Sequence, residues 1–149
     1  MDRKKYLKYI QNIHNIDTKS EIEANILKRL DKYINNINIE SLNIIDKGCL
    51  DLILFPSNQE DFDICLIDSR LGHDCYSHEL ESTLYYWILE GNGEFIIDNN
   101  EYKVSQNSFI IVPPNTVFYY KGKMKLLLVQ MPKFNEKTHI IDKIVNYNQ

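Results

Sequence analysis

Apolar positions in the first forty residues recur at helical spacing, and from residue 44 they switch to the alternation of strands. Tyr6, Tyr9, Ile10 and Ile13 form a short stripe. Ile22, Ile26, Leu30, Tyr33 and Ile37 form a longer one, repeating every three or four residues on one face. Thr18 with Glu21, and Ser20 with Glu23, fit the reciprocal capping pattern just before that stripe. Asn35 and Asn36 are poor helix formers and end it. The pattern predicts amphipathic helices over residues 1–43, packed as a cover on the main domain, with a partner-binding or dimerising helix as the alternative.

Residues 49–55 and 62–67 then read as short strands, the first broken by Pro56-Ser57-Asn58. Residues 84–89 read as a third, closed by Glu90-Gly91-Asn92-Gly93. Residues 95–97 and 102–104 flank Asp98-Asn99-Asn100. Asn tolerates the left-handed backbone of a tight turn, so this is a predicted hairpin. Strands over 109–112, 117–120 and 126–131 complete the set. Many short strands cut by turn residues predict an antiparallel sandwich or barrel over residues 44–132. The tail, 133–149, carries Ile140, Ile141, Ile144 and Val145, which suggest a last short helix.

Composition narrows the function. The chain has 149 residues, a formal net charge of −4 and four histidines. No global positive field is available to neutralise nucleic-acid phosphates, so no nucleic-acid partner is expected. No apolar run reaches the ~20 residues of a membrane helix, so no membrane partner is expected. The polar start is not a secretory leader. Cys49, Cys65 and Cys75 form no CxxC and no even framework, and read as reduced thiols of a cytoplasmic protein.

Two spaced segments carry the most information. One is Gly72-x5-His78-x-Leu80-x3-Leu84-x6-Gly91; the other is Asn107-x5-Pro113-x-Asn115-x2-Phe118-x3-Gly122. Their spacing resembles the two motifs of the cupin superfamily. The resemblance implies an antiparallel double-stranded β-helix, a jelly-roll barrel, here with N-terminal amphipathic helices. Asn107 and Asn115 stand where the family has glycine, and asparagine is the next best residue for a left-handed turn. The family's metal is held by two His and a Glu of the first motif and a His of the second. Those positions here are His78, Leu80, Leu84 and Phe118, and only His78 offers a lone pair. No metal and no other cofactor are therefore expected. The alternative is a rebuilt site drawing on His73, Cys75, Glu79 or His139.

Carried over by position, the barrel lining is His78, Leu80, Leu84, Tyr86, Phe118 and Tyr120. His78 is the candidate base and Tyr86 or Tyr120 the candidate acid, with Leu80, Leu84 and Phe118 as ligand-contacting walls. If His78 points inward, period-two alternation sends Glu79 and Glu81 outward. His73 then reads as a surface group and Cys75 as a small buried hydrophobe. Lys121, Lys123 and Lys125 read as a solvated turn. The expected function is binding or isomerase/epimerase-type chemistry on a small polar metabolite, a sugar or hydroxy acid, by a metal-independent homodimer. A non-catalytic ligand-sensing or scaffold module is one alternative, and a metalloenzyme (dioxygenase or lyase) with non-standard ligands is another.

Overall fold

Strand β5 (Thr83–Ile97) organises the sheet, because its two halves belong to opposite sides of a curled structure. The chain is seen as a computed structural model that describes residues 25–26, 43–55 and 61–147. In chain order the other strands are β1 (Asn43–Asp46), β2 (Leu50–Leu54), β3 (Asp63–Ser69) and β4 (Cys75–Glu79) before it. After it come β6 (Asn100–Ser105), β7 (Phe109–Val112), β8 (Phe118–Lys121), β9 (Met124–Met131) and β10 (His139–Ile144). The strands run in the order β1-β2-β3-β9-β5-β8-β4-β10, with β6 and β7 also on β5, and every pairing is antiparallel.

Thr83 to Gly91 of β5 pairs with β9, and Asn92 to Ile97 pairs with β6, its last four residues also with β8. The predicted strand end at Glu90-Gly91-Asn92-Gly93 is thus a bend inside one long strand. The register slips between Ile88 and Glu90, and Gly91 takes a φ of 85°. A bulge with a left-handed glycine turns a strand without ending its hydrogen bonding. The predicted hairpin at Asp98-Asn99 forms, with both residues at positive φ. Asn107 and Asn115 also sit at positive φ, 71° and 59°, as asparagine in place of glycine requires.

The interior is one apolar cluster drawn from both halves of the sheet. Leu50, Cys65, Ile67, Leu84, Tyr86, Ile88, Phe95, Phe118, Tyr120 and Leu126 belong to it. The fold is mainly β, a curled antiparallel sheet. The helical cover expected over residues 1–43 lies outside the described residues, apart from Asn25 and Ile26, which are helical. The short helix expected in the tail is instead strand β10, which pairs with β4. The free edge of β4 offers hydrogen-bond partners over five residues, which outweighs a weak local helical pattern.

Candidate functional site

The site is built on β4, and its facing is set by β8. Ser77 lies opposite Phe118 in register, and cross-strand partners share a face. Phe118 and Tyr120 are buried in the core, so Cys75, Ser77 and Glu79 turn inward and Tyr76 and His78 turn outward. That reverses the expected alternation. His78 does not join the barrel lining; its Nδ1 lies 2.8 Å from Asp142 of β10. Leu80, expected inside, is 42% exposed past the end of β4. Leu84, Tyr86, Phe118 and Tyr120 are buried in the interior as expected.

The imidazole in this interior is His73. Gly72 bridges Lys121 of β8, and the His73 N–H donates to the Tyr120 carbonyl at 2.8 Å. This close approach needs glycine: a Cβ at Gly72, where φ is 147°, would lie 2.6 Å from the Tyr120 carbonyl oxygen. The bend brings the His73 ring to 5.1 Å from the Tyr120 ring and 5.7 Å from that of Phe118. Tyr86 lies 5.7 Å from Tyr120 and 5.9 Å from Phe118. Three groups able to exchange protons therefore share one aromatic-walled interior.

Their protonation follows from hydrogen bonding and burial. His73 Nδ1 is 2.6 Å from the Cys75 carbonyl, which can only accept, so Nδ1 carries the hydrogen and Nε2 the lone pair. Burial holds the His73 imidazolium below its ordinary pKa of 6.5, although the Cys75 carbonyl and Asp74 pull the other way. Asp74 Oδ1 lies 3.8 Å from Nε2. Burial pushes the phenols of Tyr86 and Tyr120 well above 10, and the Glu79 carboxyl adds to the effect at Tyr86. Both remain protonated across the neutral range.

β10 closes the site from its other side. His139 stands opposite Glu79 in register, with Nδ1 2.7 Å from Glu79 Oε1. Farther along, Tyr147 donates to the His73 carbonyl at 2.9 Å and meets the Tyr119 hydroxyl. The alternation argument missed His73, Glu79 and His139. Their facing follows from the register of β4 on β8, which pairs Ser77 with Phe118.

The four positions at which the cupin resemblance places a metal supply too few donors to hold one. Of the four expected ligand positions only His78 offers a donor, and it faces outward onto Asp142. His73, Asp74 and Cys75 do bring one ligand atom each within 4.8 Å of the others. Within that cluster Nδ1 of His73 lies against the Cys75 carbonyl, Asp74 Oδ2 pairs with Lys47 at 3.0 Å, and burial pushes the Cys75 thiol up to about 11. Lys121 and Lys125 are paired with Glu94 and Glu90 on the surface, consistent with a solvated turn.

No family model matches the sequence, and no curated protein matches it. Solved structures do resemble the fold. Pac13, a nucleoside dehydratase of Streptomyces, superposes with a TM-score of 0.70 at 22% identity, covering 76% of this chain and 94% of that one. Pac13 has also been solved with uridine in three single-residue variants, one histidine to glutamine and two tyrosine to phenylalanine. In chain order the three substituted positions are thirteen and then thirty-four residues apart. KdgF from Halomonas sp. superposes with a TM-score of 0.57 at 13% identity, over 68% of this chain and 94% of that one. The cupin domain of Schizosaccharomyces pombe Cnp3 does so at 0.53 and 16%, over 64% and 72%. The fold of this chain is cupin-like.

Proposed function

We propose that this chain removes water from a nucleoside or a closely related furanoside, with His73 as base and Tyr120 and Tyr86 as phenol donors. One observation carries the reading. His73, Tyr86 and Tyr120 are spaced by thirteen and thirty-four residues, the same intervals as the histidine and two tyrosines substituted in the uridine-bound Pac13 variants. The same three side chains converge in the interior of this barrel. The base is thus His73 and not His78, while the two tyrosines keep their expected acid-side role.

The chemistry follows from the protonation states. Nε2 of His73 holds a lone pair and takes a proton from a ring carbon of the substrate. The C–H electron pair becomes the new carbon–carbon double bond, and the neighbouring carbon–oxygen bond breaks. Tyr120, whose ring lies 5.1 Å from that of His73, supplies a proton to the departing hydroxyl, which leaves as water. Asp74 Oδ1, 3.8 Å from Nε2, places a negative charge beside the imidazolium that forms. The proton on His73 then restores the phenol. Tyr86 donates a hydrogen bond beside the same oxygen. Each acid–base partner of this type contributes roughly 10²–10⁴-fold.

The test is incubation of the purified protein with a panel of nucleosides, followed by mass spectrometry for loss of one water. Turnover by the wild type, cut about a hundredfold or more in His73→Gln and in Tyr120→Phe, is expected. Uridine binding without water loss from any nucleoside would return the protein to the non-catalytic ligand-binding reading. Absence of any nucleoside binding would overturn the proposal.

A further inference from the structure

Further buried polar groups stand beside the acid–base trio. Glu79 is 6% exposed at its side chain and faces inward from β4. One of its oxygens accepts from His139, and the other, Oε2, is buried with no partner among the described residues. Gln130 Nε2 is in the same condition, as is Tyr120 Oη of the trio, while Ser77 Oγ lies against the Cys75 thiol. Ser77 shares the inward face of β4, and Gln130 shares a face with Leu84, its register partner on β5. A buried polar atom without a partner is costly, so folds keep such atoms where a ligand completes them.

The chemistry of the set defines its ligand. A carboxylate oxygen only accepts, an amide nitrogen only donates, and hydroxyls do both. A sugar hydroxyl, which both donates and accepts, can partner each of these groups. A phosphate, which has only acceptor oxygens at its charged end, would face the Glu79 carboxylate unfavourably. None of these three orphaned atoms belongs to a lysine or arginine that would offset that repulsion. Resting on the nucleoside reading of this site, we infer that Glu79, held by His139, reads a furanose hydroxyl and makes the site selective for neutral, hydroxylated nucleosides over deoxynucleosides and nucleotides.

The test is calorimetric titration of the wild type and Glu79→Gln with uridine, its 2′-, 3′- and 5′-deoxy analogues, and uridine 5′-monophosphate. In the wild type, one deoxy analogue is expected to bind about tenfold or more weaker than uridine, and the monophosphate weaker still. Glu79→Gln keeps the side-chain shape but replaces the acceptor with a donor. It is expected to lose about tenfold on uridine and to lose discrimination at that one hydroxyl. The wild-type series stands by itself if the variant unfolds, which its thermal melt reports. Equal binding of uridine and all three deoxy analogues by the wild type overturns the assignment, as does unchanged discrimination in Glu79→Gln. Both outcomes leave the nucleoside reading standing. Failure of the wild type to bind uridine at all removes that reading and this assignment with it.

Discussion

His73 is poised as a base because its ring is buried while its Nδ1 hydrogen is spent on the Cys75 carbonyl. Its folded pKa lies below the ordinary 6.5, so the unfolded chain takes up the proton first as pH falls. The stability held in neutral His73 is fully present above pH 6.5 and is lost as pH drops through the folded value. Turnover by the proposed reaction should therefore show an acid limb centred below 6.5. Chemical denaturation of His73→Gln between pH 7 and 5 should fall off less steeply than that of the wild type. An acid limb centred above 6.5 would mean that another group titrates. Tyr120 makes a complementary prediction. Its hydroxyl is buried with no partner among the described residues, so the fold gains nothing from it. Tyr120→Phe should match or exceed wild-type stability, by up to about 1 kcal/mol, while turnover collapses. Denaturant midpoints read the first effect and water-loss kinetics the second. A clear destabilisation would make the hydroxyl a structural group instead.

At the scale of elements, the site depends on how β4 joins β8 and β10. Gly72 allows the chain to pass within backbone contact of β8 before β4 begins. A Cβ there would meet the Tyr120 carbonyl and the Lys121 Cα at 2.6 and 2.7 Å, both rigid main-chain atoms. Gly72→Ala should cost about 2–4 kcal/mol, combining backbone strain with overpacking, and should displace His73. By contrast, His78 and Asp142 form a part-exposed pair on the outer face, which is worth about 0–1 kcal/mol. His78→Ala should leave turnover within about twofold of wild type, and a larger loss would return His78 to the site. This contrast shows what the chain alone makes legible. Turn chemistry was readable, because Asp98, Asn99, Asn107 and Asn115 impose their backbone locally. The burial of Leu84, Tyr86, Phe118 and Tyr120 was readable from motif spacing. The facing of β4 was not, since a one-residue slip inverts every side chain and the slip is set by pairing with a strand forty residues away. Strand β10 was hidden for the same reason: its conformation comes from the edge of β4 and not from its own residues.

The whole molecule is a curved sheet with two faces, and they differ in what covers them. The inner face holds the core and the proposed site. On the outer face, Ile44, Ile53 and Leu66 of β1–β3 are buried although they lie outside the inner cluster, and helical Ile26 is 2% exposed. Around β5, β7 and β9 the outer face is open: Trp87 is 45% exposed, Phe109 61% and Ile111 51%. Tyr85, Trp87, Phe109, Leu127, Val129 and Met131 line a shallow apolar depression there. An apolar side chain stabilises only in proportion to the surface it hides, so equal hydrophobicity on these two stretches should not mean equal stability. Ile53→Ala should cost about 2–5 kcal/mol, comparable to a core deletion, although Ile53 never touches the barrel interior cluster. Phe109→Ala, removing a larger side chain, should cost less than about 1 kcal/mol. Urea unfolding of the two variants, followed by the single tryptophan at the open face and by circular dichroism, gives both numbers. If Phe109→Ala proves as costly as Ile53→Ala, the open face is covered in solution, and its coverage would then be part of what folds the barrel.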